Sequence, residues 1–509
     1  MNDAAAVAYS AVPVLMLLTS LVPAAVIFSL RENQVRVRTT LNLAGATAKV
    51  GFVVLLAPPV VAGEKLRASM TWAPGLEIVL VTDAFALFFV GLSAVLWLLT
   101  TVYAIGYLEG APNRSRFFGF FSLCVTATTG IALSSNLLTF LLFYELLTLV
   151  TYPLVAHRGT KEALDAARTY LAYTLGGGAV LLGGVVWLTT LVGPVEFTAG
   201  GVEEVARLAA ERPATATAVA AVLLSGLAVK AAIFPLHGWL PVAMVAPAPV
   251  SALLHAVAVV KAGVFGIVRV VHDLFGVTVL ADLGVLTVLA VFAGVTILYG
   301  SLRALTQDDL KKRLAYSTVS QLSYVVLGAA LLAPMATAGA LAHIVHQGLM
   351  KITLFFCAGL FAEVLGLSKV SELAGVGRRM PFTAAAFTIG ALGMIGLPPI
   401  AGFVSKWSLA LGGLDAGQPW VVVVLVTSTL LNAAYFLPVI YALWVQEPEE
   451  GVEWSTAPHR ERRGSLEAPL SLLVPTVVTA SLALAAGMAA GWEYSPWQLA
   501  QLIAGGSYP

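Results

Sequence analysis

The sequence predicts an all-α integral membrane protein of about 14 transmembrane helices. Three observations carry that expectation. The 509 residues are 59% hydrophobic and only 11% charged, with a mean hydropathy of +0.91. Soluble domains are about 45–50% apolar and about 25% charged. The apolar residues fall in repeated runs of about 20, the length that spans a hydrocarbon core. Inside those runs sit Lys49, Lys230, Lys261, Lys351, Lys406 and one carboxylate, Glu145. A charge near the bilayer centre is costly and persists where it pairs, faces water or moves protons.

Composition also excludes classes. A formal net charge of +1 argues against a nucleic-acid binder. The two cysteines, Cys124 and Cys357, both lie in apolar runs, which supports neither a disulfide scaffold nor a thiolate metal site. No cofactor or metal motif is present, so none is expected. The start, Met-Asn-Asp, lacks a basic n-region, and the first helix is expected to be retained.

Hydropathy centres the spans near Met16, Val50, Ala94, Val125, Tyr144, Val180, Leu224, Val260, Leu289, Val326, Phe355, Gly393, Leu425 and Ala480. Gly201–Arg212 reads as a short amphipathic surface helix. Gln446–Glu467 reads as a solvated loop. The tail from Trp492, with Tyr494 and Trp497, suits an interface anchor. Loops after odd-numbered spans carry most of the basic residues: Arg31, Arg36, Arg38, Arg114, Arg116, Arg158, Lys161, Arg168, Arg303, Lys311, Lys312, Arg313, Lys369, Arg378, Arg379, Arg460, Arg462 and Arg463. Loops after even spans carry Lys65, Arg67, Arg207 and Arg212, with Arg269 at the end of the eighth span. The positive-inside rule then places both termini outside and supports an even span count.

The second span holds Lys49 without a paired acid, and we read it as structural or subunit-facing. The fifth reads NLLTFLLFYELLTLVTYP. Thr148 and Tyr152 follow Glu145 at i+3 and i+7, so all three share one helix face. This carboxyl suits a group that changes protonation with its partner's position; a static ion pair is the plainer alternative.

The seventh span reads LAVKAAIFPLHGWLP. Pro235 removes an N–H and interrupts the helix five residues after Lys230. The freed backbone groups need water or another polar partner, so a wet cavity beside Lys230 is expected. Snorkelling of Lys230 is the alternative. In the eighth span, SALLHAVAVVKAG, His255 precedes Lys261 by six residues. His255 reads either as a bridge to a neighbouring helix or as a hydrogen-bonded core residue.

The tenth span, KKRLAYSTVSQLSYVV, aligns Ser317, Ser320, Gln321 and Tyr324, as a relay or as packing glue. The eleventh, AHIVHQGLMKITLFFCAG, stacks His343, Gln347 and Lys351 at i, i+4 and i+8, with His346 beside them. No carboxylate or cysteine completes a zinc site there. The twelfth, GMIGLPPIAGFVSKW, is broken by Gly396 and a proline pair, with Lys406 seven residues after Pro399. Snorkelling is again the alternative for Lys406. Spans seven and twelve differ by an odd number, so they cross in opposite directions. Broken helices at matching places of inverted halves point to a midplane site.

The segments KAAIFPLHGWLP, PVSALLHAVAVVKAGVF, QDDLKKRLAYSTVSQLSY, HIVHQGLMKITLFFCAG and GLPPIAGFVSKW resemble the signature segments of the antiporter-like proton-channel family. That family includes the three large membrane-arm subunits of respiratory complex I and the A and D subunits of Mrp-type sodium/proton antiporters. The resemblance covers roughly residues 80 to 410. It implies a fourteen-helix fold with two inverted five-helix repeats and a hydrated midplane axis. It also implies that Glu145, Lys230, Lys261 and Lys406 form a proton relay, with His255, His343, His346 and Lys351 secondary. The implied divisions are helices 1–3 in residues 1–109, a first repeat in 110–275, a second in 276–446, and a cytoplasmic loop with helix 14 in 447–509.

Length and the lysine at position 406 look most similar to the D-type subunit of an Mrp antiporter. That resemblance implies a non-enzymatic subunit of a bacterial cell-membrane complex, moving protons coupled to Na+ export. Its implied partners are an A-type homologue, small hydrophobic subunits, H+, Na+ and lipid. Asp415 is expected near the outer mouth from position alone. Two other readings stay open: a proton-pumping arm of an NADH–quinone oxidoreductase or membrane-bound hydrogenase, and a scaffold whose charges only fix packing.

Overall fold

The computed structural model describes residues 7–73, 76–448, 467–506 and 508. Its helices are α1 (Val12–Phe28), α2 (Val35–Val61), α3 (Ala84–Tyr107), α4 (Arg114–Leu133), α5 (Leu137–Val155), α6 (Lys161–Val192), α7 (Glu203–Glu211), α8 (Pro213–Lys230), α9 (Trp239–Val242), α10 (Ala248–Ala256), α11 (Val259–Val268), α12 (Val277–Asp282), α13 (Val285–Leu305), α14 (Leu310–Ala329), α15 (Pro334–Leu365), α16 (Val376–Arg379), α17 (Pro381–Ile395), α18 (Ala401–Asp415), α19 (Trp420–Trp444), α20 (Leu470–Met488) and α21 (Pro496–Gly505).

These helices line up with the expected spans. α8 and α9 form the broken seventh, α10 and α11 the eighth, and α17 and α18 the broken twelfth. Among the described residues, 11 helical segments are long and apolar enough to cross a membrane alone. α1 and α17 are shorter apolar helices, and α14 is made less apolar by the Lys311–Arg313 charges of its first turn as well as by its hydroxyls. The outward faces of α6, α13 and α19 expose Val186, Trp187, Val291, Phe292, Val426 and Leu430. Apolar surface on this scale suits lipid or partner helices rather than water.

The two halves repeat one packing order. In the first, α4 packs on α5, α5 on α6, α6 on α8, and α8 on α11. In the second, α13 packs on α14, α14 on α15, α15 on α18, and α18 on α19. Matching contacts also use glycine in the same way. A Cβ on Gly226 of α8 would lie 2.7 Å from Leu181 N of α6, and one on Gly412 of α18 would lie 2.3 Å from Ala336 N of α15. Small residues let membrane helices approach backbone to backbone.

Several features depart from the sequence reading. The eighth span is also interrupted, at Val257 and Ala258, where both amides reach back to Leu253 O. It ends in a π-helix, Arg269–Phe275. There Arg269 is buried between Asp83 (3.0 Å) and Asp273 (2.8 Å). A three-stranded sheet joins the bundle: β1 (Val7–Tyr9) runs parallel to β2 (Lys65–Ala73), and β2 pairs antiparallel with β3 (Leu76–Thr82). Arg67 of β2 forks onto Glu196 at 2.6 and 2.7 Å, tying the sheet to the loop after α6.

Lys49 does not face outward toward a neighbouring subunit; it is fully buried among α1, α3 and α4. In the tail, Trp492 is exposed, but α21 buries Ala500 and Ala504 and packs on α15. The short surface helix expected near 201–212 is α7. Most of the expected loop after Gln446, including Arg460, Arg462 and Arg463, lies outside the described residues.

The N-terminus of α17 is closed by Glu467. Its carboxylate accepts from Phe382 N (2.9 Å), Thr383 N (2.7 Å) and Thr383 Oγ1 (2.6 Å). Pro381 opens the helix, so these are the first free amides, and an anion there also complements the helix dipole. We expect Glu467→Ala to cost about 1–3 kcal/mol and to lower the melting temperature of the purified complex, with Glu467→Gln intermediate. Unchanged melting in both variants would contradict the capping role.

Candidate functional site

Each break exposes backbone carbonyls in a low-dielectric interior, where unsatisfied polar groups are expensive. α8 ends at Lys230 and the chain restarts as a helix at Trp239. The Trp239 indole donates to Val229 O at 2.8 Å, and Phe234 N donates to Thr296 Oγ1 at 3.0 Å. Side chains therefore take over part of the satisfaction that the sequence reading left to water.

Lys230 is 1% exposed, so it does not snorkel. Its ammonium donates to Tyr144 O of α5, sits 3.3 Å from the centroid of the Tyr144 ring, and lies 3.9 Å from Glu145 Oε1. That last distance is an ion pair too long for a hydrogen bond. Glu145 Oε1 is itself buried without a hydrogen-bond partner among the described residues. The carboxyl rests on Gly178 of α6, where a Cβ would come within 2.1 Å of Oε1. A loosely paired carboxylate beside an amine is a pair whose separation can change at little cost.

Lys261 begins near the start of α11 and is fully buried. Gly263 brings this helix onto the end of α8; a Cβ there would lie 2.3 Å from Ala231 N. The Lys261 amine crosses to donate to Ile344 O of α15. α15 continues the polar line. His343 bridges Ser405 Oγ at 2.8 Å and Gln321 Oε1 at 3.1 Å, with the Tyr324 ring stacked 5.3 Å away. Lys351 donates to Leu314 O at 2.9 Å and to Ser317 Oγ.

His346 and His255 are fully buried, and among the described residues neither nitrogen of either ring has a hydrogen-bond partner; both polar atoms of Gln347 are likewise orphaned. His255 stacks on Phe355 at 4.7 Å. Such groups pay a desolvation cost that structure alone does not repay.

Lys406 closes the line. It is 7% exposed and donates to Met394 O (2.8 Å) and Ile395 O (3.1 Å), the carbonyl end of α17. The Tyr324 ring lies 5.1 Å from its amine. Gly396, at φ +96°, makes the turn that offers those carbonyls. Asn432 shares Met394 O at 3.1 Å and is held by the Tyr435 hydroxyl at 2.6 Å.

The structure thus gathers Lys261, His343, His346, Lys351 and Lys406 around α15, and Glu145 with Lys230 around α5 and α8. The hydroxyl stripe of α14 divides: Ser317, Gln321 and Tyr324 serve this line, while Ser320 bonds Ser301 of α13 at 2.9 Å, as packing glue. Asp415 is exposed at the end of α18. Sequence reasoning missed Gly178, Gly263, Trp239 and Asn432; each matters through a tertiary contact that carries no local pattern. A groove of about 380 Å³ between α2, α3, α15, α20 and α21 is lined almost wholly by carbon and by none of these amines.

Comparison with known proteins places the chain in a family. Residues 134–432 match the family described as NADH:quinone oxidoreductase/Mrp antiporter, transmembrane. The chain is 37% identical over 438 residues to the N subunit of the NADH-quinone oxidoreductase of Desulforudis audaxviator, covering 84% of this chain and 85% of that protein. It is 26% identical over 484 residues to the D subunit of the Na+/H+ antiporter of Bacillus subtilis, covering 94% of each. A chain of the Mrp complex from Dietzia sp. superposes with a TM-score of 0.85 at 25% identity, covering 98% of this chain and 97% of that one. The chain belongs to the NADH:quinone oxidoreductase/Mrp antiporter family of membrane proteins.

Proposed function

We propose that this chain is the proton-translocating, non-enzymatic subunit of a multisubunit Na+/H+ antiporter. The observation that carries the reading is the Lys230–Glu145 pair, a buried amine 3.9 Å from a partly exposed carboxyl, followed by buried amines whose partners are neutral. Protons move along Glu145, Lys230, Lys261 and Lys406, assisted by His255, His343, His346 and Lys351, and their movement is coupled to Na+ export. A lysine suits this work because it gives up its proton when buried, as arginine does not. The full-length similarity to antiporter D subunits and to a chain of an Mrp complex supports the assembly.

In this reading an A-type homologue and small hydrophobic subunits surround the chain in a bacterial cell membrane, with both termini outside. The three N-terminal helices (1–109) flank one repeat over 110–275 and its inverse over 276–446, followed by 447–509.

A second reading has its own support. A relative named as a quinone oxidoreductase subunit is 37% identical, which favours a redox-driven proton pump with the same internal relay. Purification decides between them: co-purifying small hydrophobic subunits support the antiporter, redox subunits the pump.

Two expectations test the relay. In everted vesicles carrying the whole complex, Lys230→Ala or Glu145→Ala should each cut sodium-dependent ΔpH formation by about tenfold or more, since a positioned proton-transfer group contributes about 10²–10⁴. Near-normal exchange in both would reject it. Gly178→Ala should also impair exchange, because its Cβ displaces the Glu145 carboxyl. Gly176→Ala, two residues away with open space at its Cβ, should not. Equal behaviour of the two variants would detach Glu145 placement from transport.

A further inference from the structure

We infer that Lys49 is a second proton-binding site, off the central axis, reached along a polar seam between α1, α2 and α4 that opens at Glu32. The inference goes beyond the central relay but rests on the reading of this chain as proton-translocating.

Lys49 is fully buried. Its amine donates to Ser20 Oγ of α1 at 3.0 Å and to Thr129 Oγ1 of α4 at 2.7 Å, with the Trp97 ring of α3 at 5.1 Å. Among the described residues no carboxylate lies within ion-pairing distance of it. A buried ionisable group held by neutral hydroxyls is costly to keep for packing alone. Its charge state is therefore open to change, and an amine takes up a proton rather than a metal cation.

The seam runs down from Lys49. Thr126 Oγ1 donates to the same Ser20 hydroxyl at 2.9 Å and to Ser122 O at 3.1 Å. Ser122 Oγ donates to Asn42 Oδ1 at 3.0 Å, and Asn42 Nδ2 to Arg38 O at 2.9 Å. The buried Arg38 guanidinium donates to Ser115 Oγ at 2.9 Å. On α4, Ser115, Ser122, Thr126 and Thr129 share one face at i, i+7, i+11 and i+14. At the mouth, half-exposed Glu32 accepts from Arg114 N and Ser115 N, both at 3.0 Å. Burial pushes its carboxyl up, but those two amides together with the Arg38 and Arg114 charges outweigh it and hold the carboxyl below the usual range.

Lys49 lies 11 residues beyond Arg38, about 16 Å along the helix. That is about half of a 30 Å hydrocarbon core. The seam therefore delivers a titratable amine to midplane depth from one face.

The other titratable groups on the surrounding helices face elsewhere. α1 carries none. Tyr103 of α3 bonds Phe356 O, Tyr107 lies beside Glu363, and Cys124 of α4 pairs with Thr151. Arg36 on α2 is exposed, and Arg114 and Arg116 lie in the first turn of α4, at the Glu32 end.

The test is a set of Lys49 variants in the whole complex, with exchange measured per assembled complex from pH 6 to 9.5. Lys49→Met and Lys49→Arg should each cut exchange about tenfold, the first lacking the proton and the second never releasing it. Lys49→His should retain exchange, with its alkaline limb moved to lower pH. The sign follows from the ordinary values: imidazole loses its proton near 6.5 and an amine near 10.4. Wild-type rates in the Met and Arg variants, or a His profile superimposed on wild type, would overturn the inference.

Should Lys49→Met fail to assemble, the near-isosteric Thr126→Val decides the matter: a severalfold loss supports the seam, and no change overturns it. Lys230→Ala is run alongside. Loss there without loss at Lys49 removes only the second site, whereas normal exchange in both removes the relay as well.

Discussion

The structure depends on keeping cationic amines inside a low-dielectric bundle without neutralising them against acids. The solution is backbone oxygen. Where a helix is broken, its last carbonyls have no helical donor, and the negative end of the dipole favours a cation. Lys406 takes Met394 O and Ile395 O at the end of α17. Lys230 stands at the end of α8 and takes Tyr144 O from α5. Lys406 alone takes the open carbonyls of a broken helix; Lys230, Lys261 and Lys351 take carbonyls from inside neighbouring helices. Glu145 is the exception, and its 3.9 Å separation keeps the pair loose.

Packing holds this arrangement in place. The helix order of the first half recurs in the second, and glycines bring α6 onto α8 and α15 onto α18 at matching places. Each half carries one broken helix, and broken helices at matching places of inverted halves are how secondary transporters build a midplane path. α15, buried along almost its whole length, carries the polar line between them.

The spans and the breaks at Pro235 and Pro398–Pro399 were legible because proline has a local, backbone-level effect. The axis amines were legible because a charge in an apolar run is rare. The break at Val257–Ala258 was not: neither residue is a helix breaker. Gly178 hides in a run of three glycines whose neighbour at 176 meets nothing. Of the two readings of Lys49, structural or subunit-facing, burial removes only the second, because a helix without paired charges does not show which face turns inward. The hydroxyls of Ser20 and Thr129 come from helices 29 and 80 residues away in sequence. The β1–β2 pairing and the Glu467 cap likewise join residues far apart in sequence.

The most direct test of the central claim is a cryo-EM map of the assembled complex, sharp enough to place water. Water density within about 3.5 Å of Lys230 and Glu145, and beside the orphaned atoms of His346 and Gln347, is the result this account predicts. The same groups packed dry against hydrocarbon, with no water reaching either break, would contradict it.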